Sequence, residues 1–277
     1  MSGSQRELKG KMRIILATIA FVMLATTSWG GDFSKGWDAY NNGDYATALE
    51  EWRPLAERGK ASAQYNLATM YDNGQGVPQD YKIAVQWYTL AAEQGHAAAQ
   101  YNLAHMYKNG LGVLQDYKTA VKLYTLAAEQ GVTEAQFNLA LMYDNGKGVP
   151  QDYYTAVKWY TLAAEQGFAS AQYNLATMYD LGQGVPQNYK IAVKWYTLAA
   201  EQGIAQAQNS LGTFYALGKG VLQDNVYAHM WFNIAAASGN DTASENRDIV
   251  EESMTPAQLE QAQALARECV KKEYKDC

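Results

Sequence analysis

The stretch FASAQYNLATMYDLGQGVPQNYKIAVKWYTLAAEQG, residues 168–203, is one of five consecutive copies of a 36-residue unit. The first and fourth copies are identical except at four positions: Lys60/Phe168, Asn73/Leu181, Asp80/Asn188 and Gln86/Lys194. A fixed period of this length is typical of solenoids and repeat arrays. The five copies are Lys60–Gly95, His96–Gly131, Val132–Gly167, Phe168–Gly203 and Ile204–Gly239.

Each copy contains two segments with helical periodicity. In the fourth copy, Ala171, Leu175 and Met178 recur on one helical face, and Gly182 supplies a turn that ends a helix. Asn188, an aspartate in the other copies, is a good N-cap for the second segment. The side chains of this segment expected in the core are Ala192, Trp195, Tyr196, Leu198 and Ala199. Its other side is polar, so each copy is predicted to form two amphipathic helices.

The motif A-x-x-x-L-A-x-M-Y-x-x-G-x-G-V-x-Q-D-x-x-x-A-x-x-W-Y-x-x-A-A-x-x-G resembles the Sel-one-like repeat (SLR), a relative of the tetratricopeptide repeat. The match is specific because the helix pair, the loop with two glycines and the closing glycine all fall in register. This resemblance implies an all-α fold, a right-handed α-solenoid of stacked antiparallel helix pairs. It also implies the usual role of the family, which is a scaffold for protein assembly.

The first thirty residues have the pattern of a signal peptide. The basic residues that precede the apolar run are Arg6, Lys9, Lys11 and Arg13. The apolar run, residues 14–25, is short for a transmembrane helix, and cleavage is expected near Gly31. Met12 is an alternative start, and an uncleaved membrane anchor is the alternative interpretation. If the signal peptide is cleaved, the protein is expected to be periplasmic or secreted.

The charge of the chain limits the class of partner. The formal net charge is −6, and loss of residues 1–30 would remove four basic residues and Glu7, which brings it to −9. An acidic surface argues against nucleic acid and against anionic membranes. We therefore expect a protein or peptide partner, and membrane contact only through an uncleaved signal.

Atypical units flank the five copies. Residues 31–59 are predicted to form a degenerate opening unit closer to an ordinary tetratricopeptide repeat, and residues 240–277 resemble the capping helices that follow many SLR arrays. A capping box from Thr255 to Gln258, with Pro256 at the first helical position, is predicted to start the last helix. In the preceding helix, residues 242–254, Ile249 is expected to face the core.

The sequence contains no pattern for a catalytic, cofactor or metal site, so we expect no enzyme activity and no cofactor. His96, His105 and His229 lack the spacing of a metal motif, and no complete phosphate-binding loop or GxSxG occurs. The two cysteines, Cys269 and Cys277, are expected to form a disulfide if the protein is exported to an oxidising compartment. The alternative is two free thiols.

Positions 3, 6, 10, 13 and 14, counted from the first residue of each copy, lie on the first helix and are expected to face away from the core. The candidate binding surface is formed by positions 6, 10 and 13. Its residues are Tyr65, Thr69, Asp72, Tyr101, His105, Lys108, Phe137, Leu141, Asp144, Tyr173, Thr177 and Asp180. In tetratricopeptide repeats the corresponding positions line the concave groove. Positions 10 and 13 vary between copies while the buried positions barely change. A solvent-exposed face that binds nothing would show the same variation. An unused surface therefore remains an alternative.

Position 7 holds Asn66, Asn102, Asn138 and Asn174, and we expect these side chains to link neighbouring copies rather than to line the groove. The leading hypothesis is a non-enzymatic exported scaffold that binds a protein or peptide along its concave face. The alternative is an enzyme or a binder that acts on cell-wall fragments, which would need a deep pocket with several polar groups.

Overall fold

The structure, a computed structural model, describes residues 31–277; the expected signal peptide, residues 1–30, lies outside them. The described residues form fourteen α-helices and no β-strand. Helices α1 and α2 form the opening unit, α3 to α12 form the five copies, and α13 and α14 follow them. The helices are α1 Phe33–Asn41, α2 Tyr45–Glu57, α3 Ala61–Asn73, α4 Tyr81–Glu93, α5 Ala97–Asn109, α6 Tyr117–Glu129, α7 Thr133–Asn145, α8 Tyr153–Glu165, α9 Ala169–Leu181, α10 Tyr189–Ala200, α11 Ala205–Leu217, α12 Asn225–Ala237, α13 Asp241–Glu251 and α14 Pro256–Lys271.

Local sequence sets the ends of the helices. Gly182 ends α9 in the left-handed region at φ 68°, where its N–H bonds to the Met178 carbonyl. The second glycine of the loop, Gly184, also has a positive φ, and a Cβ there would overlap the backbone of Tyr153 in the preceding copy. The Asn188 side chain then caps α10 by accepting from the Ile191 N–H at 3.1 Å. The loop is therefore both a helix stop and a contact between copies.

The hydrophobic core runs between neighbouring helices along the array. Each helix of the five copies packs on the one before it and the one after it. Ala104 of the second copy, for example, packs in one cluster with Tyr124 of its own copy and with Leu139 and Met142 of the third. Since every copy buries its apolar surface against its neighbours, the array has no single centre.

The predicted core stripe of the second helix is too wide. Ala192, Tyr196 and Ala199 are buried, but Trp195 and Leu198 are only partly buried. The residues equivalent to Leu198 in the second and third copies, Leu126 and Leu162, are 47% and 43% exposed. These positions lie at the outer edge of the helix, where the neighbouring helices do not reach them.

A ladder of buried glutamines joins successive copies. The Gln172 side chain donates to the Ala164 carbonyl of the third copy at 3.1 Å and accepts from Gln202 of its own copy at 2.8 Å. Both bonds recur in the three preceding copies. In the fifth copy Ser238 replaces the second glutamine, and the Gln208 Oε1 atom has no hydrogen-bond partner there. The ladder ends where the regular copies end.

Helix α13 continues the array as the first helix of a sixth, incomplete unit. Ala243 is buried as Ala207 is in the fifth copy, and Asn246 Nδ2 donates to Asn209 Oδ1 at 3.0 Å. The expectation that Ile249 faces the core is wrong, because its side chain is 65% exposed. In this register Ile249 falls at position 10, on the side of the first helices that faces away from the core.

Helix α14 leaves the array and packs back on α12. It starts with the predicted capping box between Thr255 and Gln258. Its C-terminal end is tied by a disulfide between Cys269 and Cys277, whose Cα atoms are 5.3 Å apart. Tyr274, inside the closed loop, lies against Gly203 at the end of the fourth copy. None of the described helices has the length and apolar character needed to cross a bilayer.

Candidate functional site

The twelve predicted residues lie in equivalent places on α3, α5, α7 and α9. We call them, together with the exposed residue at position 14 of each first helix, the first-helix face. Positions 10 and 14 are four residues apart, and position 13 is adjacent, so all three fall on one side of the helix. All of the predicted residues are partly buried except His105, which is exposed. The face is therefore a shallow surface supported by the core beneath it.

The aromatic residues at position 6 are packed rather than free. The Tyr65 ring lies 5.9 Å from Tyr88, and the Phe137 ring lies 6.0 Å from Tyr160, centroid to centroid. Tyr65 also stacks on His96 of the next copy at 4.7 Å. A partner can reach only one side of such a ring. Tyr88 and Tyr160 occupy position 29 of their copies, and the sequence pattern did not predict that they support the face.

The hydroxyl group of each buried tyrosine reaches the first-helix face. The Tyr88 hydroxyl lies 3.1 Å from Thr69 Oγ1 and donates to Asp72 Oδ2 at 3.3 Å. In the third copy the Tyr160 hydroxyl donates to Asp144 Oδ2 at 3.0 Å. These bonds position Asp72 and Asp144 from below.

Three of the four asparagines at position 7 hydrogen-bond to the preceding copy, and two of these bonds go to its buried tyrosine. Asn102 Nδ2 donates to the Tyr88 hydroxyl at 2.9 Å, and Asn174 Nδ2 donates to the Tyr160 hydroxyl at 3.1 Å. Asn66 has no such bond, because Trp52 stands in the opening unit where the regular copies have tyrosine. These contacts favour the structural role expected for position 7.

The second copy departs from the others because Lys108 replaces aspartate at position 13. Lys108 Nζ donates to Asn138 Oδ1 of the third copy at 2.9 Å. The Tyr124 hydroxyl beneath it is buried and has no hydrogen-bond partner among the residues that the structure describes. One substitution on the surface has therefore rearranged the polar contacts below it.

Charge on the first-helix face is mainly negative and unpaired. Burial raises the pKa of Asp72, Asp144 and Asp180 above the usual range of a carboxyl group. No ion pair between described residues includes any of these three. Burial, together with Lys147 nearby, lowers the pKa of Lys108. Lys219 partly offsets the rise in the pKa of Asp180, and His105 partly offsets that of Asp72, but both lie beyond ion-pair distance, so a cationic partner would gain direct ion pairs that the described residues do not supply.

Position 14 adds an apolar feature that the predicted set did not contain. Leu181 and Leu217 are 57% and 61% exposed, whereas the first three copies have asparagine there. The sequence already predicts that position 14 faces away from the core, and the change there from asparagine to leucine is the signal that marks it as part of the surface.

Ionisable groups elsewhere in the described part of the chain do not assemble into a metal site. Among residues 31–277, no group of three or more His, Cys, Asp or Glu side chains is placed to hold a metal ion. His229 is buried in α12 with its Nε2 atom 3.5 Å from Glu251 Oε2, and burial lowers its pKa.

Comparison with known families identifies the repeat. The Sel1 repeat family model matches residues 61–96, 97–132, 133–168, 169–204 and 205–240, one residue later than the copies as counted above. These matches cover more than half of the chain, which therefore belongs to the Sel1 repeat family. Proteins with this repeat typically mediate protein–protein interactions, and such solenoid scaffolds are generally non-catalytic.

One solved structure confirms the fold. A Sel1 repeat protein from Oxalobacter formigenes is 31% identical, with 87% of this chain and 100% of that chain covered and a TM-score of 0.76. A protective antigen of uropathogenic Escherichia coli strains that displays an SLR fold is also 31% identical, over 87% of this chain and 69% of that chain, with a TM-score of 0.37. The first of these confirms the predicted all-α solenoid of stacked helix pairs.

A curated relative matches over a short stretch. The exopolysaccharide production negative regulator of Rhizobium leguminosarum bv. viciae is 44% identical over 48 residues, which is 17% of this chain and 18% of that protein. The match therefore extends over less than a fifth of that protein's length.

Proposed function

We propose that the protein is a non-enzymatic, exported scaffold or adaptor that binds a protein or peptide through the concave side of the array, formed by the first-helix face. The observation that carries this proposal is the set of half-buried carboxylates, Asp72, Asp144 and Asp180, that form no ion pair with any residue the structure describes. Leaving such groups without a counter-charge is unfavourable in the free protein. A partner that supplies the counter-charge removes this cost when it binds.

Variation between copies supports the same surface. Position 10 changes from threonine to histidine to leucine, and position 13 from aspartate to lysine, on helices whose buried residues repeat almost unchanged. A distinct set of side chains on a repeated framework suits recognition of one partner. Export is supported by the basic and apolar pattern of residues 1–30 and by the disulfide, which is typical of oxidising compartments.

The proposal is tested by comparing captured partners between charge-reversal variants. The variant Asp144→Lys/Asp180→Lys places on two copies the residue that Lys108 already provides on a third, so the fold should accept it. The control is Lys158→Glu/Lys194→Glu on the exposed side of the second helices. Each tagged protein is exported by its host, recovered from the cell envelope and analysed by quantitative mass spectrometry.

We expect one set of proteins to be retained by the wild type and the control and lost from the first-helix variant. Equal capture by all three proteins would refute binding through the first-helix face. N-terminal sequencing of the same material tests export, and a mature terminus near Gly31 is expected. An intact N-terminus in the membrane fraction would support the uncleaved anchor instead.

A further inference from the structure

Three successive first helices each expose one large aliphatic side chain at the C-terminal end of the array. These are Leu181 on α9, Leu217 on α11 and Ile249 on α13, with exposed fractions of 57%, 61% and 65%. Leu181 and Leu217 occupy position 14, and Ile249 occupies position 10 of the incomplete sixth unit. Since these positions are four residues apart on a helix, the three side chains form one row.

Folding of the repeat does not require leucine at this position. The first three copies have exposed asparagines there, at Asn73, Asn109 and Asn145. The first and fourth copies differ at only four positions, and Asn73/Leu181 is one of them. Adjacent exposed apolar residues that the fold does not need are a mark of an interaction site.

Unpaired negative charge lies beside the row. Asp180 directly precedes Leu181, and Asp144 occupies the same position one copy earlier. Neither is in an ion pair with any residue from 31 to 277. Lys158 and Lys194, by contrast, lie exposed on the second helices. The row therefore has unpaired carboxylates at the end nearer the third copy, whereas Asp248, beside Ile249 at the other end, is paired with Arg247.

We infer that the occupant of this surface is an amphipathic helix of a partner protein, with aliphatic side chains seven residues apart and lysine or arginine at one end. Packed helices lie about 10 Å apart, so the row presents an apolar side chain at roughly that interval. Residues i and i+7 of an α-helix lie on one face about 10.5 Å apart, which matches the interval. The basic end would lie over Asp144 and Asp180. This inference rests on the proposed function and specifies its partner.

The probe is a displayed library of random peptides of about 15 residues, the length that carries three positions seven apart. The library is selected on the mature protein, and enriched peptides are synthesised with a fluorescent label. Binding is measured by fluorescence anisotropy against the wild type and against Leu181→Asn/Leu217→Asn. Asparagine is the residue that the first three copies have at this position, so the variant should fold.

We expect the enriched peptides to combine aliphatic and basic residues and to bind the asparagine variant at least tenfold more weakly. The matched control, Leu126→Asn/Leu162→Asn, removes two exposed leucines from the second helices and should leave Kd unchanged. Asp144→Asn/Asp180→Asn should weaken binding several-fold and reduce its dependence on salt, because it removes the charge and keeps a side-chain oxygen.

The possible negative results distinguish a wrong inference from a wrong proposed function. If no peptide is enriched, or if the enriched peptides bind the Leu181→Asn/Leu217→Asn variant as tightly as the wild type, the inference is wrong. If in addition the charge reversals on the first-helix face leave capture of protein partners unchanged, the proposed function fails as well. Loss of partners from the charge-reversal variant with no role for the leucines would overturn the inference alone.

Discussion

The buried tyrosine hydroxyls allow a sharp test of how the first-helix face is supported. Tyr160→Phe and Tyr124→Phe remove the same atom from neighbouring copies, but only the first hydroxyl has partners. The Tyr160 hydroxyl donates to Asp144 at 3.0 Å and accepts from Asn174 at 3.1 Å, whereas the Tyr124 hydroxyl has none. Phe232 occupies the equivalent place in the fifth copy, so phenylalanine is sterically acceptable there.

The expected change in the free energy of unfolding depends on which polar groups each variant leaves without a hydrogen-bond partner. Tyr160→Phe leaves a partly buried carboxylate and a partly buried amide without their bonds, which costs about 1–3 kcal/mol. Tyr124→Phe removes a buried hydroxyl that is already unpaired, so the free energy of unfolding should change by less than about 0.5 kcal/mol, or rise. The measurement is urea unfolding of the mature protein, followed by far-UV circular dichroism.

Repeating Tyr124→Phe in a Lys108→Asp variant tests whether the missing acceptor, rather than the place of the tyrosine in the array, explains the difference between the two tyrosines. Lys108→Asp places at position 13 the carboxylate that the first, third and fourth copies have there. In that background, Tyr124→Phe should destabilise about as much as Tyr160→Phe does in the wild type, and the coupling is read from a double-mutant cycle. An equal loss for both tyrosines in the wild-type background would refute the assignment of these hydrogen bonds.

Three further predictions concern the repeat framework. Gly184→Ala should lower the free energy of unfolding by about 3 kcal/mol or more, because a Cβ there meets the backbone of the preceding copy. Gly167 also has a positive φ but has open space around it, so Gly167→Ala should lower the free energy of unfolding by only about 1–2 kcal/mol. Similar losses for the two variants in urea unfolding would contradict the contact between copies. Burial raises the pKa of the Tyr196 hydroxyl to about 12, above the value of about 10 in an unfolded chain, so its contribution to stability is present in full below pH 10 and is lost as the pH rises towards 12. Absorbance at 295 nm and circular dichroism should then show the last tyrosines ionising together with loss of helix, and complete ionisation near pH 10 in a folded protein would contradict burial. Replacing Cys269 and Cys277 by serine should lower the free energy of unfolding by about 2–3 kcal/mol in the chain-entropy model, and free alkylation of both thiols in the exported native protein would show that the bond does not form.

Local signals predicted the helices well because they act within a few residues. The helix stop at Gly182, the N-cap at Asn188 and the capping box at Thr255 all depend on neighbours close in sequence, and the structure has all three. The 36-residue period then required each helix pair to stack on the next, which the structure also shows.

Contacts between copies were harder to predict. Glutamine is usually exposed, so its repeated occurrence did not indicate a buried residue. The hydrogen bonds of Gln172 join it to the Ala164 carbonyl of the preceding copy and to the Gln202 side chain of its own copy. Helical periodicity identified the inward side of α10 but not its width, so Trp195 and Leu198 were placed too deep. Ile249 was misplaced because α13 belongs to the row of first helices, which only the three-dimensional register reveals.

The most direct test of the account is site-specific photo-cross-linking in the cell that exports the protein. A p-benzoylphenylalanine at Thr177, on the first-helix face, is compared with one at Lys194, on the exposed side of the second helix of the same copy. We predict a discrete adduct with a partner protein from position 177 and none from position 194. A discrete adduct from position 194 alone, or the same adduct from both, would contradict binding through the first-helix face.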